Sequence, residues 1–164
     1  QLTALPLQDQ TFLELGAGNG LISISAAKHG AQVTASDISE LVVKTLKQNA
    51  LDNNVSIQII KSDLFNQIPK QTFDIIAINP PYYPKQARND LEMAWYCGVN
   101  FEYFQALFSQ IKDYIVPSSL VLMVLSDGCD IAKITSIAKT NGLSFTLFHQ
   151  QKIWWEKEFI FRIQ

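Results

Sequence analysis

Residues 12–20 have the sequence Phe12-Leu13-Glu14-Leu15-Gly16-Ala17-Gly18-Asn19-Gly20, in which an apolar run ends in a three-glycine turn. Apolar residues then recur at helical spacing up to His29, which predicts a strand, a tight turn and a helix. Glycine adopts positive φ and lets a ligand come close to the backbone. The dinucleotide fingerprint Gly-x-Gly-x-x-Gly requires a glycine at position 21, where this chain has Leu21. The turn is therefore interpreted as a ligand-binding loop, and a dehydrogenase is disfavoured.

Two more predicted strands are followed by acidic residues. Residues 32–36 precede Asp37, and residues 57–60 precede the segment Lys61-Ser62-Asp63-Leu64. A carboxylate after the second strand can accept hydrogen bonds from a ribose diol. Each feature also has an ordinary explanation, as a turn needed for packing or as a solvated loop carboxylate. Open α/β sheets bind ligands at the carboxyl ends of their strands, so the shared position favours a ligand site.

A second motif, Asn79-Pro80-Pro81-Tyr82, closes the apolar run of residues 73–78. The Asn79 side-chain oxygen and the Pro80 carbonyl can each accept a hydrogen bond from a planar NH₂ group. The two prolines fix φ and stiffen the turn, and Tyr82 offers a flat aromatic face. The alternative is an ordinary proline-rich turn. Together with the glycine turn upstream, the motif favours a site for an amide or an aromatic amine.

Strands and helices alternate along the chain, which predicts an α/β fold with a mostly parallel sheet. The predicted strands are residues 11–15, 32–36, 55–60, 73–79 and 120–125, and the predicted helices are about 20–29, 39–52, 100–115 and 129–140. Asn141-Gly142 is the predicted stop of the last helix. Residues 145–148 and 159–162, with the polar loop Gln150-Gln151-Lys152 between them, predict an antiparallel pair at one edge. The 164 residues are expected to form a single domain, 1–164.

These motifs resemble those of class I S-adenosylmethionine-dependent methyltransferases, in the small-domain group with an Asn-Pro-Pro-Tyr motif. The segment Met93-Ala94-Trp95-Tyr96-Cys97-Gly98-Val99-Asn100 is similar to a segment of the HemK-like glutamine N-methyltransferases of eukaryotic and archaeal type, with Cys97 in place of a glycine. The resemblance implies a Rossmann-like seven-stranded sheet and S-adenosyl-L-methionine as the cofactor. Relatives carry a helix upstream of the first strand, so we expect that helix to be missing or trimmed here.

The resemblance also assigns roles to residues. It implies that Asn79, Pro80 and Tyr82 carry the reaction and that Pro81 joins them in binding the acceptor group. It implies cofactor contacts from Glu14, Gly16, Ala17, Gly18, Gly20, Asp37, Ile38, Asp63, Leu64 and Asn79. The reaction is methyl transfer to a planar NH₂ nitrogen, for which the motif contains no His, Cys or Lys to act as a base.

The acceptor remains open between two classes. The resemblance to the HemK-like branch implies that the acceptor is a protein glutamine side chain, as in a release factor. The alternative is an exocyclic adenine or guanine amine in RNA or DNA. The formal net charge is −2 and there is no basic stripe, whereas nucleic-acid binding depends on neutralising phosphates. The net charge therefore favours a protein acceptor over a nucleic acid. A non-catalytic methyltransferase-fold subunit is a further alternative, disfavoured by the intact Asn79 motif.

Composition limits the other classes of site and partner. Cys97 and Cys129 are not part of a Cys-x-x-Cys pattern, so no metal site is expected. No apolar run approaches the ~20 residues of a membrane span, and a reducing cytoplasm is the expected location. The predicted edge strand 55–60 contains no charge or proline, which is explained either by a short edge with helices on both faces or by docking of a partner strand. That partner is a second copy or an activator subunit, since the branch that the chain resembles uses a zinc-binding activator.

Overall fold

The computed structural model of the chain describes residues 6–153 and 156–164. The strands in these ranges are β1 (Thr11–Leu15), β2 (Gln32–Asp37), β3 (Gln58–Lys61), β4 (Ile75–Ile78), β5 (Leu120–Ser126), β6 (Phe145–Ile153) and β7 (Glu156–Ile163). The helices are α1 (Leu21–Lys28), α2 (Glu40–Asp52), α3 (Asp90–Met93), α4 (Glu102–Gln110) and α5 (Ile131–Thr140). The sheet order is β3-β2-β1-β4-β5-β7-β6, with β1, β2 and β3 parallel and β7 antiparallel to both of its neighbours. This confirms the predicted Rossmann-like sheet with an antiparallel pair at one edge.

The chain divides into two compact units, of which the first contains the residues up to Ala77 and Asp113–Ser119. Its core begins with β1, where Phe12, Leu13 and Leu15 are buried. Leu46 on α2 packs with Ala17 and Ala35, and Ile57 and Ile59 lie against this cluster half-buried. Helix α2 begins at an N-cap, Ser39, whose hydroxyl accepts a hydrogen bond from the amide of Val42.

The second unit contains Ile78–Lys112 and Leu120–Gln164. Helix α4 contributes the fully buried Phe104 and Phe108, and the Phe108 ring meets Phe145 of β6 edge-on at 5.7 Å. Helix α5 begins at the N-cap Asp130 and ends at Asn141-Gly142, as the sequence predicted. Gly142 has φ +70°, a conformation that favours glycine after the last helical turn.

Several predicted boundaries were wrong. The helix expected over 100–115 begins only at Glu102, because Phe101 has φ +62° and cannot be part of an α-helix. Its last turn, Ile111–Tyr114, is a 3₁₀ turn. The expected polar loop Gln150-Gln151-Lys152 lies inside β6, which makes both final strands longer than predicted. The edge strand expected over 55–60 is β3, which starts later and ends on a charged residue, Lys61.

Within the described residues, no helix has the length and apolarity needed to cross a membrane.

Candidate active site

The glycine turn after β1 adopts the left-handed conformations that its glycines predict. Gly16, Gly18 and Gly20 have φ of +70°, +54° and +80°. The amides of Gly16 and Ala17 both donate to the carbonyl of Ser36 at 2.9 Å, which ties the turn to the end of β2. A Cβ added at Gly18 would meet no atom within 4 Å, so the loop is open at that point. The turn therefore presents a backbone that a ligand can approach.

Asp37 lies at the end of β2 and joins the glycine turn to the loop that follows. One carboxylate oxygen accepts a hydrogen bond from the amide of Gly18 at 3.1 Å, and the other accepts one from the amide of Ser39 at 3.0 Å. A carboxylate oxygen can accept two hydrogen bonds, so each oxygen keeps capacity for a ligand hydroxyl. Because Asp37 is only half-buried, this capacity is accessible.

The loop after β3 lies next to Asp37. The amide of Ser62 donates to the Asp37 carbonyl at 2.9 Å, and the Ser62 hydroxyl donates to the carbonyl of Leu64 at 2.7 Å. These bonds hold Leu64 at φ +47°, half-buried, while Asp63 is exposed. The first unit thus brings together the predicted cofactor residues after β1, β2 and β3. Ile38 is among them and is half-buried.

Glu14 is the buried acid of this group. Its Oε2 atom accepts hydrogen bonds from the amide of Ser23, at 2.8 Å, and from the Ser23 hydroxyl. Burial raises the pKa of Glu14 to about 7; the bonds from Ser23 act in the opposite direction, and the charge of Asp37 raises it slightly further. A buried carboxyl with a raised pKa thus lies in β1, directly before the glycine turn.

The Asn79 turn belongs to the second unit. Asn79 is exposed, Pro80 is buried and Tyr82 is half-buried. The Tyr82 ring lies 4.7 Å from the ring of Tyr83, tilted by 52°. Burial raises the pKa of Tyr82 above its usual value, and a hydrogen bond from the Ser126 hydroxyl works against that rise. The turn therefore combines an accessible amide with an aromatic ring held in place.

The loop after this turn is closed by backbone hydrogen bonds. The Tyr83 amide donates to the carbonyl of Trp95 at 3.0 Å, and the Cys97 amide donates to the carbonyl of Tyr83 at 2.9 Å. Lys85 places its ammonium group 5.6 Å from the centre of the Tyr96 ring. Trp95 and Val99 remain more than half exposed. The loop is thus an ordered structure that displays apolar side chains.

Sequence reasoning did not identify three serines that organise these sites. Ser23 donates hydrogen bonds to Glu14, the Ser39 amide donates to Asp37, and the Ser62 hydroxyl donates to the carbonyl of Leu64. Only Ser39 carried a signal, because serine before a predicted helix is a common N-cap. Within the described residues, no cluster of three or more His, Cys, Asp or Glu side chains is arranged to hold a metal ion.

The residues of the first unit fit an adenosine-type cofactor. The glycine loop leaves open space beside Gly18, Asp37 retains acceptor capacity for a diol, and Leu64 offers an apolar side chain nearby. These are the groups that a ribose and an adenine ring require. No phosphate-binding feature is needed for such a ligand, which agrees with Leu21 in place of a third glycine.

Comparison with known proteins gives the same family. The model of the methyltransferase small domain matches residues 2–96. A protein of Methanocaldococcus jannaschii that is named as a protein N5-glutamine methyltransferase is 46% identical over 79 residues, 48% of this chain and 40% of that protein. The release factor glutamine methyltransferase of Streptococcus pneumoniae is 36% identical over 83 residues, 49% of this chain and 29% of that protein. The matched stretches thus span less than half the length of these curated relatives.

The fold has counterparts among solved structures. The magnesium protoporphyrin IX methyltransferase of Synechocystis PCC 6803, solved with bound SAM, superposes with a TM-score of 0.72 at 20% identity. The superposition covers 99% of this chain and 74% of that protein.

Proposed function

The chain belongs to the methyltransferase small domain family, and from that premise we propose that it is an S-adenosylmethionine-dependent N-methyltransferase acting on a protein glutamine side chain. The observation that carries this proposal is the Asn79-Pro80-Pro81-Tyr82 turn, with an exposed asparagine amide beside a held aromatic ring. Two relatives that carry glutamine methyltransferase names are 46% identical over 79 residues and 36% identical over 83 residues of this chain, which supports the choice of acceptor. An exocyclic base amine in RNA or DNA is the competing acceptor that the test must separate.

The first unit supplies the cofactor site of this proposal. Asp37 receives the ribose hydroxyls, the Gly16–Gly20 turn lies along the ligand, and Asp63 and Leu64 contact the adenine. When bound, S-adenosylmethionine supplies a methyl group that its sulfonium already activates. The protein therefore has to bind and orient its two partners and needs no strong base.

The Asn79 turn binds the acceptor nitrogen. The side-chain oxygen of Asn79 and the backbone carbonyl of Pro80 accept hydrogen bonds from the two NH₂ protons. Those bonds favour a localised lone pair on nitrogen and stabilise the positive charge that develops on it. Tyr82 provides the face against which the planar amide lies, and the second proline, Pro81, keeps the turn rigid.

Asn79→Ala tests the acceptor role. Loss of one of two acceptors should lower turnover by about 10²-fold, while cofactor affinity changes much less. Gln71→Ala, which removes another exposed side-chain amide before β4, is the matched control and should keep parent turnover. An Asn79→Ala protein with near-parent turnover contradicts the proposed mechanism.

Labelling in a cell lysate identifies the acceptor. Transfer of a radioactive methyl group, followed by protease or nuclease digestion, should place the label in protein and, after hydrolysis, on glutamine. If only nuclease digestion releases the label, the acceptor is a nucleic acid and the proposal is wrong. Calorimetric titration should show binding of S-adenosylhomocysteine and none of NAD, which separates this function from a dehydrogenase and from a subunit that binds no cofactor.

We also propose that β3 docks a partner strand, either from a second copy or from an activator subunit, and that the protein acts in the cytoplasm. Support comes from the sheet order, in which β3 is outermost. Two features of β3 act against docking, because short strands and edge lysines discourage pairing with another strand. The strand is short, and it ends at Lys61, which forms an ion pair with Glu40 at 3.3 Å. Gln58→Lys tests the docking, because the Gln58 side chain is exposed, whereas a substitution at Ile57 would also disturb the core cluster on which Ile57 packs. If the parent and the variant both sediment as soluble monomers and are equally stable, no strand docks on β3.

A further inference from the structure

Asn49 lies in the last turn of α2 and forms a hydrogen bond with the glycine turn. Its side-chain amide donates to the carbonyl of Asn19, a residue 30 positions earlier in the chain, at 2.8 Å. The peptide group between Asn19 and Gly20 is bonded on its other side as well, because the Gly20 amide donates to the carbonyl of Ala17 at 2.8 Å. Asn49 thus bonds the backbone of the proposed cofactor site, in which it has had no role so far.

The two halves of the glycine turn are held by different elements. The first half, residues 16–18, is bonded to the end of β2. The second half, Asn19 and Gly20, contacts α2. Gly20 lies so close to Leu46 that an added Cβ would overlap the Leu46 side chain. Asn49 is three residues further along the same face of α2, so the helix contacts this half with one apolar and one polar side chain.

The apolar contact and the hydrogen bond act differently on the turn. Packing against Leu46 limits how far the turn can move towards α2, but apolar contact has no preferred direction. A hydrogen bond to a carbonyl does have a preferred direction. Gly20 is free to adopt many backbone conformations, and as the N-cap of α1 it makes no side-chain capping bond. The bond from Asn49 therefore fixes the orientation of the Asn19–Gly20 peptide group.

The opposite end of α2 is bonded to the same proposed site. Ser39 is the N-cap of α2, and its amide donates to the Asp37 carboxylate at 3.0 Å. One helix is therefore bonded at its beginning to the carboxylate assigned to the ribose and at its end to the glycine turn. The buried side chain of Leu46, between these two ends, anchors the helix in the core.

We propose that Asn49 is a positioning residue for the cofactor, acting through the glycine turn. The inference rests on the proposed cofactor site, in which this turn lies along S-adenosylmethionine. A turn that is already fixed in the free protein does not have to be ordered when the ligand binds, and avoiding that cost increases affinity. Asn49 itself contacts neither the cofactor nor the acceptor in this scheme. Its loss should therefore change cofactor affinity and leave kcat at saturating cofactor close to that of the parent.

Asn49→Ala and Asn53→Ala form a matched pair of variants. The Asn53 side-chain amide also donates to a backbone carbonyl, that of Asn49, at 2.9 Å. Both asparagines are half-buried at the end of α2, and alanine favours helix, so both variants should fold. Each variant loses one hydrogen bond of the same kind, but only Asn49→Ala releases the glycine turn.

Calorimetric titration with S-adenosylhomocysteine measures the effect. Asn49→Ala should raise the dissociation constant about 3- to 10-fold, the range expected for one hydrogen bond, whereas Asn53→Ala should stay within about twofold of the parent. Parent affinity in Asn49→Ala would overturn the proposal. An equal loss in both variants would also overturn it, because the cause would then be a weakened helix end.

Asn49→Asp separates the hydrogen bond from the space that the side chain fills. Aspartate has the shape of asparagine, but its carboxylate has no N–H to donate to the Asn19 carbonyl. Its dissociation constant should be at least as large as that of Asn49→Ala. Asn53→Asp adds the same charge at the same end of α2, beside the Lys28 ammonium that bonds Asn53 at 2.7 Å, and should stay within about twofold of the parent. Parent affinity in Asn49→Asp would overturn the proposal.

Two further readouts distinguish positioning from a general loss of stability. Asn49→Ala should raise the KM for S-adenosylmethionine and keep kcat within about twofold; a loss in kcat alone would overturn the proposal. In the cofactor-free protein, hydrogen exchange of the Gly20 amide should be faster in Asn49→Ala and unchanged in Asn53→Ala. Unchanged exchange in both variants would mean that Asn49 does not hold the turn, and the proposal fails.

The same titration separates this inference from the proposed function. If the parent binds no S-adenosylhomocysteine, the proposed function is wrong and the inference fails with it. If the parent binds S-adenosylhomocysteine and Asn49→Ala binds it equally well, the proposed function stands and the inference alone is wrong.

Discussion

Replacement of Glu14 by glutamine should make the folded protein more stable at alkaline pH. Glu14 is 5% exposed, and burial raises its pKa from an ordinary 4.5 to about 7. The folded state therefore holds a proton that the unfolded chain releases, and the parent loses stability as pH rises from about 4.5 to 7. The glutamine side chain of the variant is uncharged throughout and keeps an oxygen that can accept from Ser23.

The size of the effect follows from the shift. The difference between 4.5 and about 7 is about 2.5 units, and each unit is worth 1.36 kcal/mol, which gives about 3 kcal/mol over the whole transition. Between pH 5 and pH 8.5 the change in stability should be about 2 to 3 kcal/mol, because part of the titration lies below pH 5. Glu14→Gln should accordingly match the parent most closely at pH 5 and exceed it at pH 8.5.

Urea unfolding followed by circular dichroism, without cofactor, measures this difference at several pH values. Glu40→Gln is the control, because the Glu40 side chain is 55% exposed and its ion pairs with Lys44 and Lys61 lie at the surface. A stability difference between Glu14→Gln and the parent that stays constant from pH 5 to 8.5 would refute the reasoning. It would mean that Glu14 is already ionised in the folded protein at pH 5.

Further predictions concern the glycine turn and Asp37. Asp37→Ala should weaken binding of S-adenosylhomocysteine by about 1–3 kcal/mol in calorimetric titration, because it removes hydrogen bonds to a charged group; unchanged affinity contradicts the ribose assignment. Gly20→Ala should lower the free energy of unfolding by about 2 kcal/mol, since its φ is +80° and the new methyl group would overlap the Leu46 side chain. Gly18→Ala meets no neighbour and should cost about 1 kcal/mol, from backbone strain alone; equal losses at the two positions would show that packing against Leu46 is unimportant.

The fold was accessible from sequence because its strongest signals are local. The glycine turn after β1 and the apolar run of β4 are set by residues that adjoin one another, and both were located correctly. Asn141-Gly142 marked the end of α5 for the same reason, since positive φ is a property of single residues. Such signals predict where an element begins and ends without any knowledge of its neighbours.

The wrong element boundaries arose where strand pairing or backbone conformation, and not local composition, determines the structure. Gln150, Gln151 and Lys152 are polar enough for a loop. They nevertheless pair with residues 157–159 of β7, and this pairing extends β6 through them. An edge strand can carry polar side chains on its exposed side, so composition alone does not separate it from a loop. Phe101 is the opposite case: nothing in a phenylalanine predicts φ +62°, and the helix expected to include it starts one residue later.

The residues of the candidate site show the same contrast between local signals and contacts with residues distant in sequence. The motif residues were found because their chemistry is specific to a turn or to a hydrogen-bonding pattern. Ser23 was missed because a buried serine gains its role from its hydrogen-bond partner, here Glu14, which lies nine residues away in the sequence. Sequence spacing contains no record of that partner.

The place of β7 between β5 and β6 sets an order of events during synthesis. The chain makes β5 first and β6 next, but β6 pairs with β7, which is made afterwards. Until β7 has been translated, the side of β5 that will pair with it has open backbone groups, and β6 displays Leu147 and Phe148 without the strand that it pairs with. Unpaired strands of this kind invite association between nascent chains. A fragment that ends before Glu156 would therefore be more prone to aggregate than the complete fold, because both β5 and β6 would lack the strand that pairs with them.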